Sequence, residues 1–245
     1  MKKKYRITKI GGSVLNSDQS AGKMIKALKP WLIPGESILV HGGGSDINYW
    51  LGRLGVKAEF IDGQRVTDQD TMKVVEMVLS GLMNKKLVNI LREESLKAAG
   101  ISGRDASLAI AKIIDPKLGR VGKVSEMDPS LLISLLDGEI IPVVSPVSEG
   151  PDGGALNINA DFFAAALAAS LKAHEFNFVT DSGGVIKDGE FIKDLPLNDI
   201  PKLIKDGVVT DGMIPKLQAS ELAISGGVEK VNILDLEGNL GTCIK

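Results

Sequence analysis

Three glycine-rich segments of this sequence directly follow strand-like segments, and each could bind an anion. They are Lys9-Ile10-Gly11-Gly12-Ser13, His41-Gly42-Gly43-Gly44-Ser45 and Thr180-Asp181-Ser182-Gly183-Gly184. Glycines let backbone N–H groups approach phosphate oxygens, and a helix N-terminus adds a potential that favours anions. A buried turn explains one Gly-Gly pair equally well. Three such segments at successive strand ends instead predict a site for phosphate or carboxylate groups.

The glycine motifs of other enzyme classes do not fit this chain. The Walker pattern GxxxxGK[ST] is absent, so the protein is not a P-loop enzyme. No GxGxxG follows a strand-like segment, which disfavours a dinucleotide-binding dehydrogenase. His41-Gly42-Gly43-Gly44 resembles the oxyanion loop of esterases, but GxSxG occurs nowhere in the chain. Without that nucleophile motif, the hydrolase interpretation fails.

The elements that position these segments alternate along the chain. Apolar runs predict strands at Tyr5–Ile10, Ser37–His41, Ala109–Ile114, Ile140–Val144, Phe176–Thr180, Gly184–Ile186 and Val231–Leu234. Three- and four-residue apolar spacing predicts helices at Ser20–Trp31, Asp46–Leu54, Thr71–Lys97, Leu131–Leu136, Asp161–Ala173, Ile200–Lys205 and Met213–Ile224. Asp62-Gly63 predicts a hairpin turn between Ala58–Ile61 and Gln64–Val66.

This alternation predicts an α/β fold, a three-layer α/β/α sandwich around a mostly parallel open sheet. Ligands of such sheets bind at the carboxyl ends of the strands, where the glycine-rich segments lie. The loop Ser148–Ala155 and the helix after it suggest a soft boundary between residues 1–173 and residues 174–245, with one continuous sheet running through both lobes.

Composition excludes several classes of partner. The chain has 29 Lys+Arg against 31 Asp+Glu, so the basic surplus typical of nucleic-acid binding is missing. Its one cysteine, Cys243, allows neither a disulfide framework nor a cysteine metal cluster. No run of about 18 apolar residues predicts a membrane span. The basic N-terminus, Met1–Tyr5, lacks the apolar stretch of a signal peptide, and we expect a cytoplasmic protein.

Six segments in this order resemble the amino acid kinase family, and within it the branch that phosphorylates N-acetyl-L-glutamate. The resemblance covers nearly the whole chain and includes Lys9–Gly12, His41–Gly44, Gly63–Asp68, Asn157–Asp161, Thr180-Asp181 and Gly212–Lys216. The Arg-Val-Thr-Asp and Asn-Ile-Asn-Ala-Asp elements separate the chain from uridylate, carbamate and aspartate kinases. Those kinases share only the glycine loops.

The resemblance implies a catalytic group for phosphoryl transfer, which depends on positioning and electrostatic stabilisation. Lys9 and Lys216 would hold the transferred phosphoryl from opposite sides, and Asp161 would hold both ammonium groups by ion pairing. Backbone amides would donate to the phosphoryl and to the acceptor carboxylate, from Gly11, Gly12, Gly43 and Gly44. ATP would be the phosphoryl donor, with Mg²⁺ bound through nucleotide phosphates and no metal ligand from the protein. No general base is needed, because the attacking carboxylate is already ionised at pH 7.

The resemblance also implies the ligand contacts of the two lobes. In residues 1–173, which would bind the amino acid and dimerise, Arg65 would clamp the α-carboxylate and Asn157 would bond the N-acyl amide. In residues 174–245, the nucleotide would be framed by Thr180, Asp181, Ser182, Gly183, Gly184, Val185, Ile186, Val208, Val209 and Thr210.

Each of these residues taken singly has an ordinary explanation. Lys9 and Lys216 could be solvated surface lysines, Asp161 a helix cap, and Arg65 half of a surface ion pair. His41 is a structural rather than a catalytic candidate, since the implied chemistry gives it no task. It is the ordered combination that favours catalysis.

The expected function is therefore ATP-dependent phosphorylation of the side-chain carboxylate of N-acetyl-L-glutamate, a step of arginine biosynthesis. Two alternatives stay open at this point: a kinase of another acylated acidic amino acid (N-succinylglutamate or carrier-linked aminoadipate), and a catalytically silent regulatory relative. The apolar face of Thr71–Leu91 predicts a homodimer. Because Met1–Lys4 alone precede the first predicted strand, the resemblance further implies an enzyme that arginine does not inhibit.

Overall fold

The computed structural model describes residues 3–12, 17–210 and 212–245. Met1 and Lys2 of the predicted N-terminal segment, and Ser13 of the first glycine-rich segment, lie outside the described residues. The strands are β1 (Arg6–Ile10), β2 (Ser37–His41), β3 (Phe60–Ile61), β4 (Gln64–Arg65), β5 (Ala98–Ser102), β6 (Ala109–Ile113), β7 (Val121–Met127), β8 (Ile141–Ser145), β9 (Ser148–Glu149), β10 (Ala155–Ile158), β11 (Glu175–Val179), β12 (Ile186–Lys187), β13 (Glu190–Phe191), β14 (Asp194–Leu195), β15 (Val231–Leu234) and β16 (Leu240–Ile244).

The helices are α1 (Asp18–Leu28), α2 (Gly44–Arg53), α3 (Gln69–Glu76), α4 (Asn84–Glu93), α5 (Ser130–Asp137), α6 (Ala160–Ser170), α7 (Ile200–Lys205) and α8 (Met213–Ser225). A π-helical segment, Met77–Met83, joins α3 to α4 into one long rod. Side chains cap several of these helices at their starts: Ser17 caps α1, Asp68 caps α3 and Asn159 caps α6. A side-chain oxygen at this position pairs with a backbone N–H that the helix itself cannot satisfy.

Eight strands of the described residues form the central sheet in the order β14-β16-β15-β11-β1-β2-β8-β5. The six strands from β15 to β5 are mutually parallel, and β16 runs antiparallel to β15. Because β1 pairs with β11, one sheet runs through both predicted lobes. The predicted mostly parallel sheet is confirmed.

Helices cover both faces of this sheet. Residues of β1, β2 and β11, such as Ile7, Val40 and Phe176, form one apolar core with α5, α6, α7 and α8. Ile10 and Leu39, whose side chains point the other way, join a second core with α1, α2 and the α3–α4 rod. Alternate residues of a strand point to opposite faces, so continuous apolar strands require a helical layer on each side. The three-layer arrangement is likewise confirmed.

A smaller sheet lies beside the main one, and the sequence patterns identified it only in part. Strands β10, β7, β6 and β9 form a closed four-stranded ring. The predicted strand Ala109–Ile114 belongs to this ring and not to the central sheet. The predicted loop Ser148–Ala155 is wrong at both ends, because β9 occupies Ser148–Glu149 and β10 begins at Ala155. These two short strands pair with each other and also with β7 and β6, which are distant in sequence, and local patterns do not reveal those distant pairings.

Two other predicted elements need correction. The helix predicted over Thr71–Lys97 ends at Glu93, because Ser95 adopts a left-handed φ of 63° and Lys97 leads directly into β5. The strand predicted at Gly184–Ile186 is present only from Ile186, as one arm of the β12–β13 hairpin.

Candidate active site

Three charged side chains meet at the carboxyl end of the central sheet. Lys9 is the fourth residue of β1, Asp161 is the second residue of α6 and Lys216 lies in the first turns of α8. Lys9 Nζ lies 2.7 Å from Asp161 Oδ1, and Lys216 Nζ lies 3.3 Å from Asp161 Oδ2. Lys216 Nζ also donates to the Gly212 carbonyl at 3.1 Å. One carboxylate therefore pairs with two ammonium groups, one at each oxygen.

The local sequence explains this meeting. Helix α6 is rich in alanine and packs directly on α8, so the starts of the two helices lie together. The side chain of Asn159 accepts from the Asp161 backbone N–H at 2.8 Å, which fixes the first turn of α6. The N-terminal location of Asp161 also places a negative charge at the positive end of the helix dipole.

The charged side chains of this cluster are largely buried, and their electrostatic interactions are therefore stronger than they would be in water. The side chains of Lys9, Asp161 and Lys216 are only 9%, 7% and 14% exposed. Burial by itself would raise the pKa of Asp161, but the charges of Lys9 and Lys216 outweigh burial and lower it. Burial, aided by the charge of Lys9, lowers the pKa of Lys216, and Asp161 opposes that shift. The cluster thus carries two ammonium groups against one carboxylate, an excess of positive charge suited to a phosphoryl group.

The first two glycine-rich segments touch each other beside this cluster. A Cβ added at Gly12 would lie 2.8 Å from the Gly43 nitrogen and 2.9 Å from the Gly43 Cα. Added at Gly42, it would lie 3.8 Å from the Ala160 Cβ, next to Asp161. Helix α2 begins at Gly44, and no side-chain hydrogen bond from its N-cap residue, Gly43, caps this end of the helix. Gly11 directly follows β1 and is half-buried.

Arg65 and Asn157, the predicted substrate ligands, are linked through Thr67. Asn157 Nδ2 donates to Thr67 Oγ1 at 3.1 Å, and the same hydroxyl donates to the Arg65 carbonyl at 3.0 Å. The Arg65 guanidinium donates to Asn48 Oδ1 at 2.7 Å and to the Gly44 carbonyl at 3.3 Å. Burial lowers the pKa of Arg65, which stays protonated at neutral pH. The guanidinium is therefore held against the glycine loop before a ligand arrives.

A cavity of about 450 Å³ opens on the other side of Lys216. All of the predicted nucleotide ligands except Gly183 line it: Thr180, Asp181, Ser182, Gly184, Val185, Ile186, Val208, Val209 and Thr210. Gly212, Met213 and Lys216, at the start of α8, complete the lining. Gly183 instead packs against the β15–β16 turn, since a Cβ placed there would lie 3.1 Å from the Asp235 Cβ. Lys216 thus belongs to both the charged cluster and the cavity.

Sequence reasoning missed four residues that support this site. Asn48 and Thr67 hold the Arg65 and Asn157 side chains, Asn159 caps α6, and Asn84 contacts His41. Thr67 and Asn159 stand inside the motifs that carried the resemblance, so their positions offered a signal. Asn48 and Asn84 lie inside helical patterns, and nothing in those patterns indicates their contacts.

Neither a protein metal centre nor a membrane span is found where the structure can be described. Among residues 3–12, 17–210 and 212–245, no group of three or more His, Cys, Asp or Glu side chains could hold a metal ion. Within the same ranges, no helix has the length and apolar character needed to cross a membrane.

Comparison with known proteins identifies the family of this chain. The profile of the amino acid kinase family matches residues 4–235. The chain belongs to the amino acid kinase family. A Methanopyrus kandleri protein named acetylglutamate kinase is 39% identical over 253 residues, covering 98% of this chain and 99% of that protein. A Ruegeria pomeroyi protein of the same name is 41% identical over 231 residues, covering 94% of this chain and 80% of that protein.

A solved structure shares the fold of this chain. The crystal structure of smu.665 from Streptococcus mutans matches with a TM-score of 0.86 at 28% identity, covering 98% of each chain. The amino acid kinase domain of this chain therefore extends over almost its whole described length.

Proposed function

We propose that this amino acid kinase uses ATP to phosphorylate the side-chain carboxylate of N-acetyl-L-glutamate, forming an acyl phosphate in arginine biosynthesis. The observation that carries the proposal is Asp161 holding Lys9 and Lys216 at 2.7 and 3.3 Å, beside two glycine loops in contact. The relatives named acetylglutamate kinase, about 40% identical over most of the chain, support this substrate.

The cluster suits a reaction in which negative charge spreads over a transferring phosphoryl group. Lys9 and Lys216 approach from different elements, β1 and α8, so their ammonium groups can bind opposite sides of that group. Asp161 keeps both ammonium groups in place and so removes the need to reorganise them during the reaction. A preformed charge of this kind contributes about 10²- to 10³-fold in kcat. The acceptor carboxylate attacks as it is, since it is ionised at neutral pH.

The remaining side of the site suits an N-acylated amino acid. The Arg65 guanidinium, fixed by Asn48, can pair with an α-carboxylate, and the Asn157 side-chain amide can bond the acyl amide. Free glutamate presents an ammonium group in place of that amide. The Asn157 side chain would then lack its partner, and an unpaired polar group in a binding site discriminates strongly between substrates. Free glutamate should therefore be a poor substrate.

ATP fits the cavity that Lys216 shares with the charged cluster. Its volume, about 450 Å³, is within the range of small-molecule sites, and Lys216 lies where the terminal phosphate would approach Asp161 and Lys9. Each oxygen of Asp161 lies close to one ammonium group. Mg²⁺ would be held by the nucleotide phosphates, where it would neutralise charge on the leaving group.

We also propose that the enzyme is a cytoplasmic homodimer. ATP is a cytoplasmic donor, and this supports the location. The α3–α4 rod exposes Met77 and Leu82, at 57% and 47% of their surface, although its other face is buried in the core. These residues lie within Thr71–Leu91, and a second copy of the chain would cover them.

The test is turnover of purified protein with Mg-ATP and candidate acids, with hydroxylamine trapping of the acyl phosphate. N-acetyl-L-glutamate should give the hydroxamate with the highest kcat/KM. Higher kcat/KM for N-succinylglutamate, for a carrier-linked aminoadipate or for aspartate would overturn the substrate assignment. No hydroxamate with any acid, at full occupancy by ATP, would identify a silent relative.

A further inference from the structure

His41 is completely buried beneath the second glycine loop, and the phosphoryl-transfer chemistry does not use it. Its ring is 0% exposed, and its contacts are made at both nitrogens. Nδ1 lies 3.0 Å from the Gly42 carbonyl oxygen, and Nε2 lies 3.3 Å from the side-chain nitrogen of Asn84. Lys9 and Lys85 are the charged groups that act on the ring, and both are cations.

These two contacts specify one form of the ring. A carbonyl oxygen only accepts, so Nδ1 must carry a proton and donate it to Gly42. The Asn84 amide nitrogen only donates, so Nε2 must be unprotonated and accept. Burial, with the two nearby lysines, lowers the pKa of His41 to about 4, and the ring is therefore neutral at pH 7. The protonated form would place a third cation near Lys9 and Lys85.

Asn84 is held in this orientation by its other partners. Its side-chain nitrogen has two hydrogens and three acceptors, the Val143 carbonyl at 2.8 Å, the Ile101 carbonyl at 3.2 Å and His41 Nε2 at 3.3 Å, so one hydrogen is shared between two acceptors. Its side-chain oxygen accepts from Lys85 Nζ at 3.0 Å. Two strands of the central sheet, β8 and β5, thus fix which end of the amide faces His41. The tautomer of His41 is consequently set by the frame of the fold.

The Gly42 carbonyl belongs to the same planar peptide unit as the Gly43 N–H. In a trans peptide the C=O and the N–H point in opposite directions, so fixing one fixes the other. The Gly43 nitrogen faces the Gly12 loop, since a Cβ at Gly12 would lie 2.8 Å from it. Leu79, on the π-helical segment, closes the far side, because a Cβ at Gly43 would lie 2.7 Å from its Cδ2. The peptide plane is therefore held by a hydrogen bond and by packing.

We propose that His41 and Asn84 are positioning residues that set the direction of the Gly43 amide toward the transferring phosphoryl group. This inference rests on the proposed function, which gives the Gly43 amide its role. A histidine with a purely structural role would form its hydrogen bonds without affecting kcat. A positioning histidine transmits the Asn84 contact to the loop, so that loss of either side chain lowers kcat more than substrate affinity.

The first test reads the ring directly in the unmodified protein. The chain has only two histidines, so ¹⁵N NMR of the imidazole nitrogens is assignable with a His174→Gln variant, since His174 lies near the surface beside Glu229. We expect His41 to be neutral and protonated at Nδ1 throughout pH 6–8. A ring protonated at Nε2, or at both nitrogens at pH 7, would overturn the proposal, because Asn84 could not then donate to it.

The second test is a double-mutant cycle read in kcat. His41→Phe keeps a ring and removes both hydrogen bonds. We expect kcat to fall about 10- to 100-fold, a milder effect than complete loss of a hydrogen-bond donor. The KM values for both substrates should change little. Asn84→Ala should lower kcat in the native background and add little to His41→Phe, because it acts through the ring. Independent, multiplying effects, or kcat within about twofold of the unmodified enzyme in folded His41→Phe, would refute positioning.

The matched control is Ser80→Ala. Ser80 Oγ lies 2.7 Å from Ser145 Oγ and so joins the same rod to β8, without a hydrogen bond to His41 or Asn84 in that contact. Its removal should lower the melting temperature and leave kcat unchanged. If His41→Phe does not fold, the kcat of Asn84→Ala tests the proposal instead, and a value within about twofold of the unmodified enzyme would refute positioning. An inactive unmodified protein would refute the proposed function, whereas an active one with an unaffected His41→Phe variant would refute only this inference.

Discussion

Asp161→Asn is the most informative single substitution, since it removes one charge and keeps the shape of the side chain. The carboxylate lies between two buried ammonium groups, 2.7 and 3.3 Å from its oxygens. Removing one partner of a buried ion pair costs about 3–5 kcal/mol, and we expect the free energy of unfolding at pH 7 to fall by this amount. Loss of the support for both lysines should lower kcat about 10²- to 10³-fold.

The pH dependence gives this prediction its sign. The depressed pKa of Asp161 stabilises the fold above its unfolded-state value of about 3.9, and this contribution is lost as the pH falls through the lower folded-state pKa. The stability difference between the native and variant proteins should therefore persist from pH 5 to 8 and shrink in acid. In the variant, Lys216 also loses the carboxylate that opposes its depressed pKa. The pKa of Lys216 should therefore be lower still in the variant than in the native protein.

The assays are hydroxamate formation for kcat and urea unfolding for stability, each across this pH range. Glu175→Gln is the matched control, because Glu175 is also a buried carboxylate between two cations, Arg6 at 2.7 Å and Lys230 at 3.2 Å. It lies at the start of β11, at the opposite end of the sheet from the site. We expect a comparable loss of stability with unchanged kcat. If Asp161→Asn retained kcat within about threefold of the native enzyme, the two-lysine mechanism would be refuted.

Three further predictions concern the loops, the substrate clamp and the assembly. Gly12→Ala should lower kcat by about 10²-fold, because its Cβ would displace the Gly43 backbone, whereas Gly22→Ala in α1 meets nothing within 4 Å and should not; equal kcat values would contradict the loop contact. Arg65→Ala should raise the KM for the amino acid about 10- to 100-fold and hardly change that for ATP, with Asn48→Ala giving a smaller rise in the same direction; an equal rise for both substrates would place Arg65 elsewhere. Met77→Glu should halve the mass measured by light scattering, and an unchanged mass would exclude this face of the rod as the dimer interface.

The central part of the fold could be predicted from the sequence because its signals are local. Val231–Leu234 and Ser37–His41 are short, mostly apolar segments, and the structure places strands at those same bounds. The Asp62-Gly63 turn has a local signal as well, because an Asp-Gly pair readily adopts the positive φ that this hairpin requires. Both residues have a positive φ in the structure. Buried parallel strands and tight turns can therefore be recognised from residues that are neighbours in the sequence.

Strand β5 could not be predicted from its local sequence. Its sequence Ala-Ala-Gly-Ile-Ser has little strand propensity, and Gly100 is present because a Cβ there would lie 1.9 Å from the Asn84 side-chain oxygen. That constraint comes from a residue 16 positions earlier, on another element. The same holds for the site: the motifs indicated Lys9, Asp161 and Lys216, but the contacts of Asn48 and Asn84 arise only when α2 and α4 pack beside the glycine loop.

The most direct test of the central claim follows the oxygen atom that becomes bonded to phosphorus. N-acetyl-L-glutamate labelled with ¹⁸O in its side-chain carboxylate is converted with Mg-ATP, and hydroxylamine then cleaves the acyl phosphate at its carbonyl carbon. If the carboxylate itself attacks the phosphoryl held between Lys9 and Lys216, each released phosphate carries one ¹⁸O, and label in the α-carboxylate is not transferred. Phosphate without ¹⁸O, or with ¹⁸O from the α-carboxylate, would contradict the account.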